Sequence, residues 1–343
     1  MKLTKLRVAL LGVAVLIGAT ALGIMIWSNA SIVVDETKPD PAVLVANKIG
    51  AAAQPYTEGY VGERGRRVHY VTAGQGEPII FVHGFPSYWF SMFGLMEQFK
   101  ADYRVIAIDG LGVGRSDAPG KVEAYKIEEL IKGIDLVVTE LGLEQVHLVG
   151  HDWGVALVTG YAQANPSKVK TVTTMSALPH NIVLSRIQTD PDYQSLFSYA
   201  DRFARANPFL IKVMGIKDQM WSSIYQPFLD QGLLSQAQAD RLRADIGNPR
   251  RLNRFIHWYR ANFIAPEDIT DADFWPARNA RLAVPAIFIY GSEDPVVTET
   301  LIEDFIALSD TLTVHRFEGV GHRPHFEREE EVVAIMRRFL QSM

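Results

Sequence analysis

Short apolar runs alternate with longer amphipathic stretches through most of this chain. Val68-His69-Tyr70-Val71, Ile79-Ile80-Phe81-Val82 and Val105-Ile106-Ala107-Ile108 read as strands, as do the runs 146–149, 169–174, 286–290 and 312–315. Helical patterns fill 123–141, 153–165, 297–309 and 329–342. The strands are continuously apolar, so both faces of their sheet must be covered. With helices between them, they predict an α/β fold: a mostly parallel sheet with helices on both faces. Between about 178 and 280 the alternation stops, and Arg, Asp, Gln and aromatic residues dominate a stretch that reads as helical. That stretch, 178–280, is expected to be a helical cap inserted into a core made of 59–177 and 281–343.

The N-terminus has a different pattern. Lys2, Lys5 and Arg7 precede an uncharged segment from Val8 to Trp27. Its length is close to the roughly 20 residues that span a bilayer. Ser28-Asn29-Ala30 also suits a signal peptidase, so a cleaved signal and an uncleaved anchor both fit residues 1–30. Either reading carries the rest of the chain across the membrane, to an extracytoplasmic location, periplasmic or secreted. Membrane contact is then expected through residues 8–27 where the segment is retained. Residues 31–58, a mixed Ala/Pro/Thr stretch, read as a linker.

Composition narrows the partners. The 343 residues are 48% hydrophobic, ample for one large globular domain or for a core domain with a sizeable insertion. The net charge of −5 and the lack of a basic run exclude a nucleic-acid partner. The absence of cysteine removes disulfides and thiolate metal sites. Gly110-Leu111-Gly112-Val113-Gly114 follows a strand, but without dinucleotide-binding spacing it reads as a tight loop. No cofactor is expected, and no metal, since no His/Glu/Asp cluster has ligand spacing.

The chemistry begins at Gly150-His151-Asp152-Trp153-Gly154, between a strand and a helix. Small-x-acid-x-small at that junction is the layout of a nucleophile elbow, in which the flanking glycines leave room for the tight turn. The central residue is Asp152, not serine. An aspartate, with an ordinary pKa of about 3.9, is already ionised at neutral pH. A carboxylate nucleophile suits displacement at a saturated carbon, which leaves an alkyl-enzyme ester. Clearing that ester requires a water and a base. Asp294 follows the run 286–290, and His322 follows the next strand, in the order acid nucleophile, acid, histidine. Asp294 would orient His322, and His325 is the rival base. Hydrolysis of the ester develops an oxyanion, for which the backbone N–H groups of Phe85, in His83-Gly84-Phe85-Pro86, and of Trp153 are the candidate donors.

Together these motifs resemble the α/β-hydrolase superfamily, specifically its epoxide hydrolase branch, over residues 60 to 343. Trp258-Tyr259-Arg260-Ala261-Asn262 in the cap is similar to the segment that carries one of that branch's two epoxide-binding tyrosines. The resemblance implies that Tyr259 hydrogen-bonds the epoxide oxygen. For the second tyrosine it implies Tyr199, with Tyr193 as the alternative. The expected activity is opening of a small lipophilic epoxide to a vicinal diol. Haloalkane dehalogenases share the elbow, and they are the competing reading, with Trp153 and Trp221 as candidate halide donors. A non-catalytic binding module on the same fold is the third.

Overall fold

The computed structural model describes residues 30–206, 211 and 216–343, together with Thr20, Leu22, Gly23 and Trp27. Eight strands form one sheet: β1 (Thr57–Val61), β2 (Val68–Ala73), β3 (Pro78–Val82), β4 (Arg104–Ile108), β5 (Val146–His151), β6 (Val169–Met175), β7 (Ala286–Gly291) and β8 (Leu312–Phe317). Their order is β1-β2-β4-β3-β5-β6-β7-β8. β2 runs antiparallel to β1 and β4, and every other pair is parallel. The seven strands read from apolar runs are all present. At the centre, Ile79 to Val82 of β3 are fully buried, as a strand covered on both faces must be. Helices α1 (Pro41–Ile49), α2 (Phe93–Phe99), α3 (Ile127–Glu140) and α4 (Trp153–Ala164) precede the insertion.

The linker expected over 31–58 is instead structured and packed on the core. Ile32 bridges Ala118, and the Val34 N–H donates to Asp117 at 2.8 Å. α1 buries Ala42, Val43 and Ala46. Its N-cap, Asp40, accepts from the Ala42 N–H and from the Trp89 indole at 2.7 Å. The segment escapes an apolar-run reading for two reasons. The α1 face is small and alanine-based, and β1 is an edge strand whose residues are mostly half-buried. The membrane reading of 8–27 lies outside the described residues, apart from Thr20, Leu22, Gly23 and Trp27. Among the described residues no helix is long and apolar enough to cross a membrane.

Between β6 and β7 the described chain carries the helices α5 (His180–Thr189), α6 (Pro191–Leu196), α7 (Ser198–Ala204), α8 (Ile216–Ile224), α9 (Gln226–Asp230), α10 (Gln236–Ile246) and α11 (Pro249–Asn262), while 263–280, expected to be helical, has only loops and two short 3-10 turns. After β7 come α12 (Glu299–Ala307), α13 (Pro324–Glu327) and α14 (Glu329–Gln341). The polar sequence of α11 is deceptive, because its side chains bolt it down. The Trp258 indole donates to the Leu111 carbonyl at 3.0 Å. The Asn262 amide accepts from Ile127 N–H at 2.7 Å and donates to the Tyr125 carbonyl at 2.8 Å. The glycine-rich loop after β4 is therefore the seat of the cap, and the Gly110 N–H also donates to His83 at 3.1 Å.

Candidate active site

The site forms where β3, β5, β7 and β8 end. Asp152 follows β5 with φ 52° and ψ −120°, an uncommon backbone for a residue with a side chain. This strained turn, directly before α4, lifts the carboxylate out of the sheet. The close packing explains the glycines around it. A Cβ on Gly154 would lie 2.1 Å from the Val82 carbonyl oxygen, and one on Gly84 would lie 2.4 Å from the Asp152 Cβ. Gly84 brings the backbone so near that the Phe85 N–H donates to Asp152 Oδ1 at 2.6 Å. Trp153 opens α4, where a helix leaves its first N–H groups without intrahelical acceptors.

His322 lies between two carboxylates. Its Nδ1 is 2.8 Å from Asp294 Oδ2, and its Nε2 is 3.3 Å from Asp152 Oδ2. Asp294 is buried and also accepts from the Val296 N–H at 3.0 Å. Burial disfavours an imidazolium here, but the hydrogen bonds and charges of Asp152 and Asp294 outweigh it and raise His322 from 6.5 to about 9. Burial likewise opposes the Asp152 charge, yet His322, His151 and the Phe85 N–H bring its pKa down to about 2. The three residues read as nucleophile, acid and base thus meet in one constellation. His325 does not join it. Its ring packs 4.4 Å from His151, both its nitrogens lack a partner among the described residues, and burial pushes its pKa well below 6.5.

A cavity lies over Asp152, and Tyr199 and Tyr259 both line it. Trp153, Leu178, Val183, Phe197 and Phe263 supply most of its apolar wall. The tyrosine rings are 6.5 Å apart, one on α7 and the other on α11. Burial first, then the Asp152 charge, holds both phenols protonated above their ordinary 10. Tyr193 is elsewhere, its hydroxyl 2.7 Å from the Thr298 Oγ1. Trp221 is not among the described lining residues, and its indole donates to Gln226 at 2.8 Å.

A sequence family described as the α/β hydrolase fold matches residues 77–329, most of the chain. The chain belongs to the α/β hydrolases. Among its relatives is mouse epoxide hydrolase 4, 28% identical over 253 residues, covering 71% of this chain and 67% of that one. Another is the proline iminopeptidase of Heyndrickxia coagulans, 28% identical, covering 84% of this chain and all of the other. A crystal structure of the Bacillus megaterium epoxide hydrolase with an inhibitor shares the fold, with a TM-score of 0.72 at 24% identity. That match covers 82% of this chain and all of that one.

Several supports of this α/β hydrolase site were not read from the sequence. His151 Nε2 donates to the His322 carbonyl at 2.9 Å and so ties that residue's loop to the turn at Asp152. The Arg323 guanidinium donates to the Phe85 carbonyl at 3.2 Å, and the Tyr225 hydroxyl donates to the Pro86 carbonyl at 3.1 Å. His83 is a structural tie, its Nδ1 on the Gly84 carbonyl at 3.0 Å. Adjacency to a motif residue was the only sequence signal for His151, Arg323 and His83. Arg260, from the cap segment, donates to the Ala204 and Ala206 carbonyls at 2.9 and 2.6 Å, tying α11 to the end of α7.

One group among the described residues has metal-ligand composition: Asp40, Glu58 and His69. Its ligand atoms are already committed. His69 bonds Glu58 and Asp109, both at 2.9 Å, and the Trp89 indole occupies Asp40. Burial opposes its charge, but Asp109 and Glu58 raise His69 to about 9, an imidazolium among carboxylates. The group fastens the N-terminal arm to the core.

Proposed function

We propose that this hydrolase opens epoxides to vicinal diols through an ester on Asp152. The observation that carries the reading is the placement of Tyr199 and Tyr259 in one cavity with an ionised Asp152. Oδ1 sits on the Phe85 N–H at 2.6 Å, and Oδ2, held more loosely at 3.3 Å from His322 Nε2, is the oxygen that attacks. Oδ2 bonds to an oxirane carbon as the ring C–O bond breaks, and the oxygen leaving as an alkoxide takes a proton from a tyrosine. Both phenols are protonated and so have the proton to give, and the Asp152 charge that helps hold it is consumed as the ester forms. With the Asp152 charge consumed, the His322 proton passes to the tyrosinate, and the neutral imidazole then removes a proton from water, whose hydroxide attacks the Asp152 carbonyl carbon. The oxyanion faces the Phe85 and Trp153 N–H groups. Its collapse breaks the ester bond, releases the diol and restores Asp152, with Asp294 stabilising the imidazolium meanwhile.

The chain's relatives include proteins named for epoxide hydrolysis and one named for peptide cleavage. The nucleophile favours the former. A carboxylate attacking an amide would have to form an anhydride, less stable than the bond it replaced, whereas attack at a saturated carbon yields an ester. A halide leaving group is less well served, because Phe85 offers no side-chain donor and Trp221 is spent on Gln226. The apolar walls suit a lipophilic substrate. Placement outside the cytoplasm, through residues 8–27, completes the reading and rests on sequence alone. The test offers an aryl epoxide and a haloalkane side by side and measures diol and halide. Diol release is expected, while halide without diol overturns the assignment.

A further inference from the structure

The cavity wall contains a polar side chain that the reaction leaves unused. His180, the first residue of α5, is 7% exposed and lines the same cavity as Asp152, Tyr199 and Tyr259. Neither of its ring nitrogens hydrogen-bonds a described residue. The Asn262 backbone carbonyl lies close enough to favour a protonated ring slightly, without the geometry of a hydrogen bond. Burial dominates and lowers the pKa to about 4, so the ring is neutral at pH 7. A neutral imidazole has one N–H donor and one acceptor nitrogen. Buried polar groups are nearly always paired, so an orphan on the wall of a substrate cavity points to a partner in the ligand. Its apolar neighbours in that wall, Leu178, Val183 and Phe197, cannot supply one.

Resting on the epoxide reading, we propose that His180 is a substrate-binding residue that hydrogen-bonds an uncharged oxygen on the epoxide's side arm. The oxirane oxygen itself belongs to the tyrosines. An anionic arm is disfavoured, because none of the described lining residues is a lysine or arginine and Asp152 is anionic. An ether or carbonyl oxygen accepts from the imidazole N–H, and a hydroxyl can donate to the other nitrogen. The enzyme therefore prefers oxygen-bearing epoxides to hydrocarbon epoxides of equal length. Sites built to bond a polar substrate atom discriminate strongly against analogues lacking it, because the buried group is then left unpaired.

The test compares butyl glycidyl ether with 1,2-epoxyoctane, which differ by one oxygen in place of one methylene. The readout is the ratio of their kcat/KM values on a single enzyme preparation, so loss of folded protein cancels. His180→Phe is expected to lower the ether preference by about tenfold while epoxyoctane is still opened. His180→Gln, which keeps a donor, is expected to retain much of the preference. If His180→Phe is insoluble, His180→Leu is read in the same way. An unchanged ratio in the apolar variant, with both substrates slowed alike, marks a structural role and overturns this proposal alone. Absence of diol from both substrates with the unaltered enzyme overturns the epoxide reading, and this proposal with it.

Discussion

The core half of the site and the cap half are held in place by different means. Asp152, Asp294 and His322 hang from the ends of three parallel strands, whose ladder fixes their separation. Tyr199 and Tyr259 sit on two helices whose relation depends on individual side chains: Trp258, Arg260 and Asn262. Backbone hydrogen bonds cannot be removed by substituting a side chain, whereas these ties can. The core half is therefore robust and chemically fixed, and the cap half is where geometry can be tuned. In the proposed mechanism the halves also act at different times, the tyrosines on ester formation and His322 on ester hydrolysis.

The largest expected effect separates those steps. In the proposed mechanism His322→Gln removes the base but leaves the nucleophile and tyrosines in place. Turnover should fall about 100- to 10,000-fold, the range for loss of a general base. Intact-protein mass spectrometry should then show one substrate added per chain, lost on Asp152→Asn. A His322→Gln enzyme that turns over slowly without accumulating adduct would place the base elsewhere and break the division between the halves.

Next come the cap tyrosines. Tyr259→Phe should slow ester formation by about 100-fold, within the range for a general acid, and Tyr199→Phe should act in the same direction. The double variant should leave almost no epoxide opening. Single-turnover tryptophan fluorescence, with Trp153 beside the reacting atoms, can follow the step. Arg260→Met tests the tie and not the chemistry. Loss of its bonds to the Ala204 and Ala206 carbonyls should let α7 and α11 shift, slowing ester formation about 10- to 100-fold. Ester hydrolysis should keep its rate. Equal slowing of both steps would show that the halves are not mechanically separate.

The pH dependence follows from the same division. In the resting enzyme His322 is raised to about 9, partly by Asp152. Esterification removes the Asp152 charge, so the His322 pKa falls below that value in the intermediate. Hydrolysis needs neutral imidazole, so its rate should climb about tenfold per pH unit below the lowered pKa and then level off. Ester formation should stay flat across that range, since Asp152 is ionised above about 2 and the phenols remain protonated. Rapid-quench measurement of the two steps between pH 5 and 9 checks this, and an alkaline decline in ester formation below pH 9 contradicts it.

The same contrast explains what could be read without coordinates. Strand ends carry their candidate residues in a local code: an apolar run, a glycine, then the polar residue that reaches the site. Asp152, Asp294 and His322 were legible for that reason, as was the α/β sheet. The cap has no such code. The α11 sequence is polar but buried, because Arg254, Trp258 and Asn262 find partners far away in the chain. Tyr259 was proposed through resemblance, not through periodicity. The arm over 31–58 was missed because its contacts are single buried hydrogen bonds, such as Asp40 with Trp89, which leave no pattern along the sequence.

Tyr193 gives the smallest and sharpest test, since the sequence kept it as the alternative to Tyr199 and the structure separates them by surroundings. Its hydroxyl bonds Thr298, whose own side chain caps α12 by accepting from the Leu301 N–H at 3.3 Å. Tyr193→Phe therefore removes one partly buried hydrogen bond near a helix terminus. The cost should be about 0.5–1.5 kcal/mol of stability, measured as a lower denaturant midpoint with unchanged slope. Epoxide opening should stay within about twofold, because the ring that remains still fills its place and no reacting atom is touched. Tyr199→Phe should do the reverse, slowing ester formation at little cost in stability, since the cavity, not the protein, faces its hydroxyl. If instead Tyr193→Phe slows ester formation and Tyr199→Phe does not, the second proton donor lies on α6, and the cap must rearrange to bring it over Asp152.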